Sequence, residues 1–301
     1  MPRHASSVVV VREGAPAIEV FCVLRHAKSS FLGGAVVFPG GKVDPTDAAD
    51  VWEAQATAPH PRGDVLAAPF TSSAGAAPAV TARALAVAAC RETLEEARIV
   101  PLDGPCDDAA AGALQAELLA RASAHGGVAT GAGAAAAFAD VLARAGRRLA
   151  LDALVPWARW VTPQAESRRF DARFFLLELP AGQAGRHDEH ETTMSFWARP
   201  AAVLDRFMRG EIFLAPPTTR TLELLAAVTD VRGARALAAE QSLLPVCPEF
   251  VPADAPFLAL PGDPAHSVRE KRVAGPTRFV LRDGRFVGED PPAGEGSGGA
   301  A

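Results

Sequence analysis

Most of the information about the architecture of this chain lies in two segments, Phe38-Pro39-Gly40-Gly41-Lys42-Val43-Asp44 and Arg91-Glu92-Thr93-Leu94-Glu95-Glu96. In the second segment, Glu92, Glu95 and Glu96 have the i, i+3, i+4 spacing that places side chains on one face of a helix. Like charges at this spacing destabilise a helix by roughly 0.2–0.5 kcal/mol per pair, so we expect a cation to neutralise them. A few carboxylates completed by substrate phosphates suit Mg²⁺. A solvated acidic helix face is the alternative interpretation.

The residues around these segments predict a strand, a glycine turn and a helix that act as one unit. Residues 82–90 are rich in Ala and contain neither Gly nor Pro, which favours a helix running into the acidic triplet. Residues 35–38 are a short apolar run typical of a strand. Gly40 and Gly41 follow that strand, and glycine allows a loop to approach a ligand closely.

The two segments resemble the signature of the Nudix hydrolase family, which is Gly, five residues, Glu, seven residues, then Arg-Glu-apolar-x-Glu-Glu-x-Gly-apolar. Gly41 opens the match and residues 91–99 close it, although Thr93 and Arg98 depart from the pattern. Asp47 stands where the signature has its first Glu, and 43 residues (48–90) follow it instead of seven. An insertion at this point resembles the subgroup that includes the animal peroxisomal acyl-coenzyme A diphosphatases.

The resemblance implies an α/β fold, specifically a Nudix-type α/β/α sandwich with a mixed sheet, an insertion inside the signature and added helices. We expect a Nudix domain over residues 1–235, a C-terminal extension with a hairpin over 236–288, and a disordered tail over 289–301. Within the domain we expect the insertion at 48–80, helical decoration at 107–150 and a helical cap at 200–230. Because residues 48–80 are rich in Ala, Pro, Gly and Ser without periodicity, they predict an irregular segment that partly covers the mouth of the site.

The resemblance also implies a hydrolase, dependent on Mg²⁺ or Mn²⁺, that cleaves a diphosphate linked to another moiety. Coenzyme A or acyl-CoA is the leading substrate, and the products would be 3′,5′-ADP and (acyl-)phosphopantetheine. Nucleotide sugars, NADH and dinucleoside polyphosphates remain open as substrates, as does a nucleotide-binding module without catalysis. The implied metal ligands are Glu92, Glu95 and Glu96, and the implied catalytic residues are Glu92, Glu95, Arg91, which braces the carboxylates, and the loop acid Glu191.

Six further residues are candidates for substrate binding. Gly40 and Gly41 form the loop, and guanidinium groups suit bidentate phosphate recognition. The subgroup's coenzyme A pattern is matched by an Arg, a Gly and Phe-Pro-Gly-Gly, but Ser30 stands where a second Arg belongs. The candidate arginines are Arg25, Arg168, Arg169 and Arg173.

Composition limits the other classes of function. The 301 residues carry a net charge of −5, which argues against the basic face that nucleic-acid polymers require and leaves a small-molecule diphosphate as the expected partner. Four scattered cysteines without a Cys-x-x-Cys spacing predict reduced thiols. No apolar segment is long enough for a leader or a membrane span, so we expect a cytoplasmic protein that does not bind membranes. The sequence leaves a homodimer open.

Overall fold

A computed structural model of the chain describes residues 1–26, 33–72, 75–76, 79–124, 132–186 and 192–292. The strands are β1 Arg3–Arg12, β2 Glu19–Arg25, β3 Val36–Val37, β4 Gly40–Lys42, β5 Thr71–Ser72, β6 Gly75–Ala76, β7 Val155–Val161, β8 Phe170–Glu178, β9 Thr192–Ala198, β10 Glu249–Val251, β11 Phe257–Ala259, β12 Arg278–Arg282 and β13 Arg285–Glu289. The helices are α1 Val51–Gln55, α2 Gly63–Ala67, α3 Ala82–Ala97, α4 Asp108–Ala124, α5 Ala132–Arg144, α6 Pro200–Met208, α7 Pro216–Leu225 and α8 Val231–Glu240. Two short 3₁₀ helices cover Pro45–Ala48 and Leu151–Ala153.

A seven-stranded mixed sheet lies at the centre of the molecule. Its order is β3-β2-β1-β8-β7, with β4 paired to β1 and β9 paired to β2. Strand β1 runs parallel to β8 and antiparallel to β2 and β4. Its Val8–Val11 run is completely buried on both faces, as a continuous apolar run in a central strand predicts.

Helices cover both faces of this sheet. Val8 and Val10 pack with α3, α4 and α5 on one face, whereas Val9 and Val11 pack with α6, α7 and α8 on the other. The alternation follows from the period of two along a strand. The predicted α/β/α sandwich with a mixed sheet is therefore confirmed.

The insertion between Asp47 and Arg91 differs from the irregular segment that the composition predicts. It contains α1 and α2, and the side chains of Trp52 and Leu66 are fully buried in the core beneath α3. The ring of Trp52 lies 5.3 Å from that of Phe138 in α5. The expectation of an irregular excursion is wrong for this part of the insertion, because isolated large apolar residues anchor it without any periodic pattern.

The Ala-rich region at 107–150 is also more than decoration. Helices α4 and α5 bury Leu118, Phe138 and Val141 in the same core as α3. On the opposite face, α6 and α7 fall within the expected cap at 200–230 and bury Phe207 and Leu222. Added helices therefore complete both layers of the sandwich.

The C-terminal extension forms a separate antiparallel sheet of order β10-β11-β12-β13. Strands β12 and β13 form a hairpin, because Arg282 pairs with Arg285 across the turn formed by Asp283 and Gly284, whose φ angles are +47° and +76°. Positive φ at both turn positions is typical of a type I′ hairpin. Arg220 of α7 anchors the extension by donating to carbonyls of the segment before β12, and residues 293–301 of the predicted tail lie outside the described residues.

Candidate active site

The acidic face of α3 is organised by one buried arginine. Nη1 of Arg91 donates to Oε1 of Glu92 at 2.9 Å and to Oε1 of Glu95 at 3.0 Å, while Nη2 donates to the carbonyl oxygen of Lys42 at 2.9 Å. The side chain of Arg91 is 1% exposed, but those of Glu92 and Glu95 are 15% and 13% exposed. Arg91 therefore holds two carboxylates together at the edge of the core and links them to strand β4.

Asp47 completes this network, and no site prediction included it. Its carboxylate accepts from Nε of Arg91 at 3.0 Å and from Nη2 at 2.9 Å, and both side chains are buried. Burial opposes the charge of Arg91, but Glu92, Asp47 and Glu95 outweigh it and raise the pKa of the guanidinium well above its usual range. The spacing of the signature was the available signal, since Asp47 occupies the position of its first Glu.

Glu96 faces the glycine loop instead of Arg91. Its Oε2 accepts from the backbone N–H of Gly40 at 2.9 Å. A Cβ atom on Gly40 would lie 2.3 Å from the carbonyl oxygen of Ser6, and one on Gly41 would lie 2.3 Å from Oε2 of Glu92. Glycine is therefore required at position 40, where the added atom would meet backbone, whereas a side chain at position 41 would displace the carboxylate of Glu92.

Arg25 is the candidate arginine that the structure brings to the acidic helix. Its Nη1 lies 4.0 Å from Oε1 of Glu96, and its side chain is 23% exposed. The Nε atom of Arg25 is buried and has no hydrogen-bond partner among the described residues. A partly exposed guanidinium beside the carboxylates is well placed to contact an anionic ligand.

The structure does not support the expected role of Arg173 as a substrate contact, because its guanidinium lies in a closed network of ion pairs. Nη1 lies 2.8 Å from Nδ1 of His4 and 3.1 Å from Oδ2 of Asp171, which Arg159 also contacts at 2.7 Å. All three members of the Arg159–Asp171–Arg173 network are buried. Burial, opposed by Asp171 and assisted by Arg159, lowers the pKa of Arg173 to about 10.

The same network fixes the insertion. Nη1 of Arg159 donates to the carbonyl oxygen of Ala68 at 2.7 Å, and Nε of Arg173 donates to that of Leu66 at 3.3 Å. Both carbonyls belong to the end of α2 or the residue after it. The arginines therefore stabilise the insertion instead of presenting donors to a ligand.

Arg168 and Arg169 lie toward the opposite end of β1 from the glycine loop. The carbonyl of Arg169 accepts from the backbone N–H of Arg3, whereas Gly40 pairs with Ser7. Four residues of strand separate these positions, or about 13 Å at the usual rise per residue. The side chain of Arg169 donates from Nε to the carbonyl of Thr162, so the structure does not bring this pair to the carboxylates.

The donor set suits a hydrated divalent cation better than a closed protein cage. Across the described ranges, no three His, Cys, Asp or Glu side chains stand close enough together to enclose a metal ion. Glu92 and Glu95 nevertheless both reach one Nη1 atom within 3.0 Å, so two carboxylates share one side of the helix, and Glu96 directly follows Glu95. Magnesium commonly takes one or two carboxylates and completes its shell with water and phosphate oxygens, so the residues fit such an ion.

Two other expectations concern the surroundings of the site. Glu191, the loop candidate for a catalytic acid or base, lies outside the described residues. No helix in the described part of the chain combines the length and apolar character that crossing a membrane requires.

Comparison with known proteins adds to this geometry. Residues 3–225 match the family model described as the NUDT19 Nudix domain. The chain is 28% identical to the acyl-coenzyme A diphosphatase NUDT19 of Gallus gallus over 302 aligned positions, which cover 88% of this chain and 78% of the relative. It is also 28% identical to the human protein of the same name, with 79% and 70% covered.

A solved structure shows the same fold. The crystal structure of a NUDIX hydrolase from Alicyclobacillus acidocaldarius superposes with a TM-score of 0.60 and 30% sequence identity. The superposition covers 78% of this chain and 96% of the other. The likeness therefore extends over most of this chain and nearly all of the other.

Proposed function

Because this chain belongs to the Nudix hydrolase family, we propose that it is a divalent-metal-dependent enzyme that hydrolyses the diphosphate of coenzyme A or acyl-CoA. The products are 3′,5′-ADP and 4′-phosphopantetheine or its acylated form. The observation that carries the proposal is the arrangement of Glu92 and Glu95 on one Arg91 nitrogen, with Glu96 against the glycine loop. The names of the relatives, which are acyl-coenzyme A diphosphatases, support the choice of substrate.

In this proposal Glu92, Glu95 and Glu96 would supply carboxylate oxygens to Mg²⁺ or Mn²⁺, and water and phosphate oxygens would complete the coordination shell. Such an ion neutralises phosphate oxygens and lowers the pKa of a bound water. Arg91 does not touch the substrate: its five donor positions serve Asp47, Lys42, Glu92 and Glu95, so it orients the carboxylates. One of the α3 glutamates or Glu191 accepts the proton of the attacking water.

Arg25 and the backbone of Gly40 and Gly41 bind the diphosphate in the same proposal. The guanidinium of Arg25 already lies within 4.0 Å of Glu96, so a phosphate oxygen beside that carboxylate would meet a cation. The absence of a Cβ on either glycine leaves the loop backbone open to close approach. Only the diphosphate would meet the metal ligands, so we expect the thioester of acyl-CoA to stay intact.

A substrate panel tests the proposal directly. The purified protein is incubated with Mg²⁺ or Mn²⁺ and CoA, acyl-CoA, NADH, a nucleotide sugar or a dinucleoside polyphosphate, and products are identified by mass. We expect 3′,5′-ADP from both CoA and acyl-CoA, with no release of free fatty acid. Cleavage of NADH, the nucleotide sugar or the dinucleotide in preference to CoA would overturn the substrate, and nucleotide binding without any cleavage would indicate a non-catalytic module.

A further inference from the structure

A cleft of about 410 Å³ opens where the C-terminal extension meets the sandwich. It lies between the loop that follows α6, the turn of the β12–β13 hairpin and the start of the segment leading to β3. We call it the hairpin cleft, and its lining includes Gly34, Arg209, Glu211, Phe213, Asp283 and Arg285. Part of this lining comes from the extension, beyond the residues 3–225 that match the family.

The hairpin cleft adjoins the end of β2 that carries Arg25. The N–H of Gly34 donates to the carbonyl oxygen of Arg25 at 3.3 Å, and the side chain of Arg25 reaches Glu96. The N–H of Val36, the first residue of β3, donates to the carbonyl of Phe213 at 3.0 Å. These hydrogen bonds place Gly34 and Phe213 of the cleft lining next to the end of β2 that carries Arg25, so a diphosphate beside Arg25 would lie near the cleft.

Two arginines with different contacts line the cleft. Nη1 of Arg285 donates to the carbonyls of Phe207 and Met208 at 2.8 and 2.5 Å, which fixes the guanidinium, while its Nη2 lies 3.8 Å from Oδ2 of Asp283. Arg209 is 59% exposed and donates from Nε to Oε1 of Glu211 at 2.5 Å.

The counterions of both arginines are open to solvent, and Glu211 also lies 3.3 Å from Nε of Arg206. Asp283 is 90% exposed and Glu211 is 45% exposed. Ion pairs between exposed groups contribute only about 0–1 kcal/mol, because water screens them. A phosphate can therefore replace either carboxylate at little cost and gain charge-assisted hydrogen bonds from a guanidinium.

The remaining wall of the cleft is apolar. Phe213 is half-buried and contributes to the lining beside the two arginines. Aromatic side chains provide a stacking surface that every nucleobase can use. The cleft thus combines a site for an aromatic ring with donors for a phosphate.

We propose that the hairpin cleft binds the phosphorylated adenosine end of the substrate, with Arg209 and Arg285 donating to the 3′-phosphate and the purine lying against Phe213. This inference rests on the proposed function and identifies the part of coenzyme A that the C-terminal extension recognises. Arg168 and Arg169 lie toward the other end of β1 and Arg173 is buried, so none of them takes this role.

The test compares CoA with dephospho-CoA, which differ only in the 3′-phosphate. In Arg209→Ala, kcat/KM for CoA should fall by about tenfold, since a lost charge-assisted hydrogen bond has that effect, whereas the value for dephospho-CoA should stay unchanged. In Glu211→Gln, the competing carboxylate is removed, so the preference for CoA should increase. Arg232→Ala, at an exposed position on α8, is the matched control and should leave kcat/KM unchanged for both CoA and dephospho-CoA.

Calorimetric titration of 3′,5′-ADP and 5′-AMP separates this inference from the proposed function. The wild-type protein should bind 3′,5′-ADP more tightly, and Arg209→Ala should reduce that difference. If the wild type cleaves CoA but Arg209→Ala leaves both the CoA preference and the 3′,5′-ADP preference intact, the cleft assignment is wrong. If the wild type cleaves no CoA, the proposed substrate is wrong. If the wild type then also binds 3′,5′-ADP and 5′-AMP equally, the proposed role of the cleft is wrong as well.

Discussion

Two buried arginine networks lie on the α3 face of the sheet and differ in the balance of their charges. In the first, Arg91 contacts the carboxylates of Asp47, Glu92 and Glu95, so negative charge is in excess. In the second, Asp171 is shared by Arg159 and Arg173, so positive charge is in excess.

The two networks resolve their imbalance in different ways. The remaining donors of Arg159 and Arg173 form hydrogen bonds to backbone carbonyls of the insertion, and the side chains of the network are buried. The surplus carboxylates around Arg91 stay partly exposed at the mouth of the glycine loop. An excess of buried cations can be satisfied by carbonyl oxygens, whereas an excess of carboxylates at a surface favours binding of a cation. The comparison separates a structural network from a candidate catalytic one.

The largest effect should follow from neutralising a carboxylate in the Arg91 network. Glu95→Gln keeps the shape of the side chain but removes a proposed metal ligand, so kcat should fall by about a thousandfold, equivalent to roughly 4 kcal/mol in the barrier. Steady-state kinetics and thermal unfolding are measured together. Glu117→Gln, in the exposed i,i+4 pair with Arg121 on α4, is the control and should retain full activity. Full activity in Glu95→Gln would remove the catalytic assignment of this network.

Replacing Asp171, the anion of the second network, should lower the free energy of unfolding but not kcat. Asp171→Ala leaves Arg159 and Arg173 buried without their carboxylate, and breaking such a pair costs about 3 kcal/mol of unfolding free energy. We expect kcat per folded molecule to remain near that of the wild type.

Urea denaturation of Asp171→Ala is compared with that of Asp140→Ala, whose exposed pairs with Arg121 and Arg144 should contribute less than about 1 kcal/mol. A stable Asp171→Ala with poor kcat would show that the second network belongs to the catalytic machinery too.

The insertion tied to the second network should behave as part of the core. Leu66→Ala removes a fully buried side chain and should lower the free energy of unfolding by about 2 kcal/mol. Val65→Ala changes the neighbouring residue, which is 53% exposed, and should have little effect in the same denaturation experiment. Equal, small effects of the two substitutions would restore the view of the insertion as a peripheral excursion.

Local sequence signals predicted the parts of the fold that depend on neighbouring residues. The acidic spacing in α3, the Val8–Val11 run and the Asp283-Gly284 turn each define their element without distant partners. The site is predictable to the same extent. Glu92 and Glu95 share a helix face, so both carboxylates reach the same Nη1 atom of Arg91.

The role of Arg173 could not be read from the sequence, since three nearby arginines look alike before folding. Its neighbour Arg159 is brought opposite it only by the pairing of β7 with β8. Trp52 and Leu66 gave no periodic signal, because the insertion is anchored at separate points instead of along one face. Asp47 was visible as a departure from the signature, but its partner Arg91 lies 44 residues further along the chain, so the sequence did not reveal their contact.

The smallest expected effect concerns the pH dependence of the contact between the insertion and α8. Nδ1 of His60 accepts from the N–H of Arg62, whose guanidinium donates to the carbonyls of Ala238 and Gln241. Burial, assisted by Arg62 and Arg235, lowers the pKa of His60 below its usual value of 6.5.

As pH falls through 6.5, His60 takes up a proton in the unfolded chain before it does so in the folded protein, so protonation favours unfolding. The histidine's contribution is complete above pH 6.5 and is lost as pH falls through the lower folded value. We therefore expect wild-type protein to lose more unfolding free energy than His60→Gln when pH is lowered from 7.5 to 5.5, with no difference between their slopes above pH 7. Because His60 is partly exposed, solvent screens the two arginines and keeps the effect below that of Leu66→Ala. Parallel stability profiles over the whole range would show that protonation of His60 does not weaken the contact between the insertion and α8.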